Sequence, residues 1–310
     1  MEYASEIQSL FPNLTALTGQ KLCAFTTFRL GGPCPLLINN PSAKQLPALI
    51  RTLHQRNIPF LVMGQGSNLV ISDNGLDRAV VRFCSDKPDV QTTGGRVTVS
   101  GDTLLDDFVR ITVEQNLGDL TCCAGIPGTV GGGIAGNAGA FGWQIGDHLI
   151  SAKLVAADGT IQTASRNDLG FAYRHSRLKQ TGEIILSATF ELPLKNRKGM
   201  RRERERIIQF RKDHHPNWHK TPCAGSVFRN LEATSAAERR QAAGYFLEES
   251  GAKTMRVGGA HIFEKHANII IGGDNCTAQD VWELSEKMKK AVQKKFNLEL
   301  VREVRFLGDF

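Results

Sequence analysis

No stretch of this 310-residue chain is apolar for the length that a bilayer crossing requires. The opening segment, MEYASEIQSLFPNL, has neither the basic start nor the apolar centre of a secretion signal. These absences point to a cytoplasmic protein with no membrane partner. Cysteine occurs seven times, as scattered singles plus the adjacent Cys122 and Cys123, and no C-x-x-C pair is present. That pattern argues against a zinc ribbon or a disulfide framework and leaves small thiols in a reducing compartment. Aromatic residues are only 7% of the chain. The basic run RKGMRRERERIIQFRK offers Phe210 as its one stacking ring, so it reads as a solvated helix face of alternating charge and not as a nucleic-acid surface.

Glycine, by contrast, is abundant: 31 residues. The formal charge of +7 and pI near 9.1 suit an anionic partner without choosing among nucleotides, phosphorylated metabolites and nucleic acid. The length exceeds a single-core domain, so two or three compact units are expected.

Along the chain, SAKQLPALIRTLHQ places Leu46, Leu49, Ile50 and Leu53 on one helical face after a Ser42-x-x-Gln45 capping box, and Pro47 predicts a start later than the box. A buried strand over Pro59–Met63 leads directly into the turn GQGSN. Strands are expected at 79–83 and at 90–100, the latter folded at Gly94-Gly95. A helix opened by Thr103-x-x-Asp106 should turn Leu104, Phe108 and Ile111 inward. Further strands fall at 151–156 and 160–164 around Asp158-Gly159, and at 183–192. The charged run 195–212 reads as a linker. The last third reads as α/β, with helices opened by Ser235-x-x-Glu238 and Thr277-x-x-Asp280, a stop at Gly251, and strands at 261–263, 268–272 and 298–307, the last with Val304 and Phe306 on one face.

Two glycine-bearing segments stand out, GQGSN at 64–68 and GIPGTVGGGIAGNAGAFG at 125–142. Successive backbone N–H groups in such turns can hold an anion, and the two together could grip a pyrophosphate. Tight structural turns are the alternative. GQGSNL does not fit G-x-G-x-x-G and no G-x-x-x-x-G-K-[ST] occurs, which sets aside the Rossmann and P-loop readings.

GQGSNLV at 64–70, GIPGTVGGGIAGNAGAFG at 125–142, YRHSRLK at 173–179, AGSVFRN at 224–230, EKHANIII at 264–271 and EVRFLG at 303–308 follow one another in a single order and spacing. In this the chain resembles the UDP-N-acetylenolpyruvoylglucosamine reductase (MurB) family, from Thr26 to Gly308. The resemblance implies an α+β fold: a two-part FAD-binding domain of the vanillyl-alcohol-oxidase-like type, over 1–85 and 86–195, and a C-terminal α/β substrate domain over 196–310. It also implies a two-stage reaction. NADPH reduces FAD and leaves; the enolpyruvyl sugar nucleotide then takes hydride at C3 of its double bond, and the carbanion or enolate at C2 is protonated to give UDP-N-acetylmuramate.

Carried over position by position, the resemblance makes Gly64, Gln65, Gly66, Ser67 and Asn68, with Gly125, Ile126, Pro127, Gly128, Gly131 and Gly132, the flavin-holding loops, and puts Asn137, Ala138 and Gly139 where the isoalloxazine should lie. It implies that Ser226 is the proton donor, a role that needs a nearby cation such as Arg229 or Lys220 to stabilise the alkoxide. Without the resemblance Ser226 reads as a turn residue. Arg174 matches the arginine that clamps the substrate carboxylate, and Glu303 the second catalytic acid, with a raised pKa implied; alone, they read as a surface ion-pair residue and a solvated strand residue. Tyr173, Arg211, Lys220, Arg229, Asn230, Glu264, His266 and Asn268 are the implied substrate contacts.

Leu231 stands where the family usually has proline, and Gly133 where alanine is more usual. With Tyr3, Tyr173 and Tyr245 as the only tyrosines, the inserted tyrosine loop of the longer branch is missing, which places the chain in the shorter branch. His214, His215 and His219 lack acidic companions, and Pro216 interrupts them, so no metal is expected. The expectation is thus a monomeric reductase using FAD, NADPH and a UDP-sugar. Its rivals are a flavin oxidase on the same scaffold and a non-catalytic nucleotide-binding or nucleic-acid-binding module.

Overall fold

The computed structural model describes residues 2–118, 120–232 and 240–310. They form two compact units interleaved along the chain. The first comprises the segments up to Thr18, Pro35–Gln65 and Arg78–Phe210; the second comprises Gly19–Cys34, Gly66–Asp77 and Arg211–Phe310.

In the first unit, strands Phe60–Met63 and Ala79–Arg82 pair in parallel, and residues 37–39 of strand Pro33–Asn39 run parallel to 80–82. Parallel neighbours need a crossover, and helix Leu46–Gln55 supplies it. As expected, this helix starts beyond the Ser42–Gln45 box. Pro47 stands in its first turn, where the missing N–H costs no hydrogen bond, and Leu46, Leu49, Ile50 and Leu53 are buried. A five-stranded antiparallel sheet follows, in the order Ile161–Ser165, Leu149–Val155, Ile184–Glu191, Arg96–Ser100, Val90–Thr93. Helix Leu105–Glu114 packs on it with Phe108 against Phe190, ring centres 5.2 Å apart.

Two expectations fail here. The inward face of helix Leu105–Glu114 is Leu105, Phe108, Val109, Thr112 and Val113, with Leu104 outside the helix at its N-cap and Ile111 only half-buried. Thr103 and Asp106 do not cap it, because both side chains are engaged elsewhere: the Thr103 hydroxyl accepts the Asp89 N–H at 3.3 Å, and the Asp106 carboxylate accepts the Gly125 N–H at 2.8 Å and an Arg204 guanidinium bond. The charged run, read as a linker and as a solvated helix face, is indeed a helix, Arg197–His214, largely exposed but anchored by buried Met200 and Ile207.

The second unit holds an antiparallel sheet in the order Cys223–Ser226, Ile269–Gly272, Ala260–Ile262, Arg256–Val257, covered by helices Ala243–Glu249 and Ala278–Phe296. Thr277 and Asp280 form the expected reciprocal box, and Gly251 ends the shorter helix at φ +78°. The Ser235–Glu238 box lies outside the described residues. The strand expected over 298–307 is confined to Arg305–Leu307, which pairs in parallel with Leu69–Ile71. Residues 301–303 instead bond to 227–229: Arg229 N–H to the Val301 carbonyl and Glu303 N–H to the Val227 carbonyl. All seven cysteines are free, five of them buried.

Candidate active site

The first unit brings the two glycine segments side by side, although about sixty residues separate them. A Cβ at Gly64 would lie 2.5 Å from Thr129 Oγ1, and Gln65 Oε1 accepts the Gly128 N–H at 2.6 Å. Only glycine permits this approach. Gly125 and Gly128 stand at φ +69° and +135°, conformations that a side chain would strain.

The donors that the sequence offered for a pyrophosphate are largely engaged within the chain. The N–H of Gly125 goes to Asp106, that of Ile126 to Cys123, that of Gly131 to Gly101, that of Gly132 to the Thr129 hydroxyl and that of Gly133 to the Thr129 carbonyl. What the segment presents is therefore backbone with no side chains on it. Gly132 is exposed, and a Cβ there would meet only Thr129 Oγ1, at 3.4 Å. Sequence offered Asp106 only as a helix-capping residue and Thr129 not at all; the Thr129-x-x-Gly132 capping spacing was the available sign of the latter.

Asn137 is 1% exposed, and its amide is fully committed: Nδ2 donates to Gln144 Oε1 and to the Ala172 carbonyl, while Oδ1 accepts the Gly146 N–H. Gly139 is required by the hairpin, since a Cβ there would stand 2.1 Å from the Trp143 carbonyl oxygen. Asn137 also fixes the arginine turn. Ala172 and His175 exchange backbone hydrogen bonds around Tyr173 and Arg174, and Ser176 Oγ donates to the Ala135 carbonyl at 2.8 Å. Arg174 itself sits at φ +53°, uncommon for a side-chain-bearing residue, with its guanidinium 5.5 Å from the Tyr173 ring centre. Tyr173, Arg174 and the Asn137 segment are thus one local assembly.

The second unit gathers residues 68, 226 and 303. Ser226 ends its strand just after Gly225 (φ +74°). Glu303 donates its N–H to the Val227 carbonyl at 2.7 Å, and its own carbonyl accepts Asn68 Nδ2 at 3.1 Å; Arg305 N–H bonds to the Asn68 carbonyl. Gly66 must be glycine, because a Cβ would lie 2.6 Å from the Phe25 carbonyl oxygen. Ser67 and Glu303 are half-buried.

The expected substrate contacts divide. Arg211, Arg229 and His266 are half-buried, whereas Lys220 and Glu264 are exposed. Asn230 Oδ1 accepts the Ala243 N–H at the start of helix Ala243–Glu249. Asn268 is 2% exposed, and its side chain bonds Phe228. His266 lies 5.4 Å from His215, ring centre to ring centre; burial is the main force holding both imidazoles below their ordinary range, His215 down to about 4. Among the described residues no group of three or more His, Cys, Asp or Glu is placed to hold a metal ion.

The model of the C-terminal domain of UDP-N-acetylenolpyruvoylglucosamine reductase matches residues 216–307, and an FAD binding domain model matches 36–165. A reductase of that name from Moorella thermoacetica is 33% identical over 307 residues, 99% of this chain and 97% of the relative. The chain belongs to the UDP-N-acetylenolpyruvoylglucosamine reductase family. The relative of that name from Clostridium novyi is 32% identical over 285 residues, 92% of this chain and 90% of its own length. The solved MurB structure from Thermus caldophilus superposes with a TM-score of 0.76 at 28% identity, covering 96% of this chain and 99% of that one. The fold is accordingly α+β, with an FAD-binding part over the residues that the FAD binding domain model matches.

Within the first unit the residues suit close approach of a flavin dinucleotide: Gly64 and the 125–132 segment adjoin and leave side-chain-free backbone.

Proposed function

We propose that this protein is an FAD-dependent UDP-N-acetylmuramate dehydrogenase, reducing UDP-N-acetylglucosamine enolpyruvate with NADPH in peptidoglycan precursor synthesis. The observation that carries the reading is the convergence of a polar residue from the first glycine segment, Asn68, with Glu303 and the Ser226 segment: Asn68 Nδ2 donates to the Glu303 carbonyl, and the Glu303 N–H donates to the Val227 carbonyl. Three separate stretches of sequence singled out for one reaction meet there.

Bound FAD supplies hydride to the substrate double bond. Gly64, Gln65, Gly66, Ser67, Asn68 and the 125–132 segment hold it, the latter by close approach of backbone. Ser226 gives its hydroxyl proton to the substrate C2, where charge left by hydride addition accumulates. Arg174, with a planar fork of donors, faces the substrate carboxylate onto which that charge spreads, and Glu303 assists as an acid. Tyr173, Arg211, Lys220, Arg229, Glu264 and His266 complete the substrate contacts. The flavin-binding regions extend over 1–85 and 86–195 and the substrate domain over 196–310. Three separate apolar clusters support this partition, centred on Ile38 and Val81, on Phe108 and Phe190, and on Phe228 and Leu284, although Phe28, Leu30 and Val70 join the third. The enzyme works as a cytoplasmic monomer of the shorter branch.

Ser226→Ala tests the assignment. Flavin reduction by NADPH should be retained, while flavin reoxidation by the sugar nucleotide should fall by ~10²–10⁴-fold. Equal slowing of both half-reactions would make Ser226 structural.

A further inference from the structure

The strand that ends at Ser226 should leave the next residues without a backbone partner, because its ladder with Ile269–Gly272 stops at the Ser226–Ile269 pair. Asn268 takes over. Its carbonyl accepts the Val227 N–H at 2.8 Å, its Oδ1 accepts the Phe228 N–H at 2.9 Å, and its Nδ2 donates to the Phe228 carbonyl at 2.8 Å. The side-chain amide thus replaces a peptide group and clamps Phe228 from both ends. Asn268 is in turn held by its own N–H, which donates to His266 Nδ1 at 3.2 Å. Val227, fixed on its N–H side by Asn268, presents its carbonyl to the Glu303 N–H at 2.7 Å. The buried side-chain amide therefore fixes Phe228 and, through the peptide that joins Val227 to Phe228, the carbonyl that accepts the Glu303 N–H.

We infer that Asn268 is a positioning residue for proton delivery, holding Ser226 and Glu303 in register with one another, and does not itself contact the substrate. The inference rests on the roles proposed above for Ser226 and Glu303. At 2% exposure, with both amide atoms bonded to Phe228, the side chain has no surface to offer a ligand. Substituting it leaves a buried N–H and carbonyl of Phe228 unsatisfied, so the segment has to shift to regain partners. A displacement on the scale of an ångström at a reacting group costs about 10²-fold in rate.

The test is a double-mutant cycle on the flavin-loaded protein. Asn268→Ala should slow reoxidation by the sugar nucleotide about 10²-fold, leave flavin reduction by NADPH and the substrate dissociation constant of the oxidised enzyme near wild type, and speed amide hydrogen exchange at Phe228. In a Ser226→Ala background the same substitution should cost less than in the wild type, because one of the two groups it positions is gone. If Asn268→Ala does not fold, Asn268→Asp carries the same test, since it keeps the volume and the acceptor for the Phe228 N–H but loses the donor. Full additivity with Ser226→Ala, or a weaker dissociation constant with an unchanged reoxidation rate at saturation, would overturn the inference. A Ser226→Ala protein that reoxidises normally would instead overturn the underlying assignment, whatever Asn268 does.

Discussion

His215 and His266 make the stability of this protein depend on pH in a defined direction. The His215 imidazole is pushed down to about 4 from an ordinary 6.5, first by burial and then by His266, Arg211 and His214; His266 is lowered mainly by burial. The folded protein therefore keeps His215 neutral over a range where the unfolded chain protonates it. Above the ordinary value neither state is charged, and the pair has no effect. As pH falls below 6.5 the unfolded state gains protons first, so stability declines until the folded value near 4 is reached. A sealed ring would lose about 3 kcal/mol over the whole window, but His215 is only half-buried, and solvent screening reduces this to about 1–2 kcal/mol. His215→Gln cannot titrate. The unfolding free energy of the wild type should therefore fall by about 1 kcal/mol more than that of the variant between about pH 7.5 and about pH 5, as denaturant titrations would measure. An equal loss in the two proteins, or a larger loss in the variant, would refute the reasoning.

Other consequences are equally direct. Gly66→Ala forces a side chain into φ +67° and against the Phe25 carbonyl oxygen at 2.6 Å; it should cost about 2 kcal/mol or more in thermal stability and weaken flavin retention, which melting and flavin release would measure. Arg174→Lys keeps the charge but loses the two-donor fork, and Glu303→Gln keeps the shape but loses the acid proton. Both should reduce the reoxidation rate far more than they weaken substrate binding, with NADPH-driven flavin reduction close to wild type in stopped flow. A change confined to the dissociation constant would make either one a binding group.

Much of this was legible in the sequence where local chemistry decides the outcome. Pro47, the Thr277–Asp280 box, the Gly94-Gly95 fold and the Gly251 stop act through their own backbone, and each does what its residue type dictates. Sequence reasoning failed where a distant partner competed. Asp106 looks like the acidic partner of a capping box opened by Thr103 until Gly125 and Arg204 claim its carboxylate. Residues 298–304 have a strand's alternation, yet 301–303 bond to 227–229 and only Arg305–Leu307 forms a strand. The same holds for the site: the glycine segments announced themselves by composition, but that N–H groups of the second one are already engaged depends on Gln65, Gly101 and Asp106, which no spacing rule links to it, as well as on the local cap Thr129. Asn137 and Asn268 read as ligand contacts because they lie inside distinctive motifs; what no motif shows is that both amides bond within the chain, Asn137 to Gln144 and the Ala172 carbonyl and Asn268 to Phe228.

The central claim is that electrons leaving the reduced protein go to an enolpyruvyl sugar nucleotide. Its most direct test is to reduce the flavin-loaded protein anaerobically and mix it, in separate stopped-flow experiments, with UDP-N-acetylglucosamine enolpyruvate and with oxygen. Rapid, stoichiometric reoxidation by the sugar nucleotide with formation of UDP-N-acetylmuramate, and slow reoxidation by oxygen, is the predicted result. Rapid reoxidation by oxygen with the sugar nucleotide inert would contradict the account.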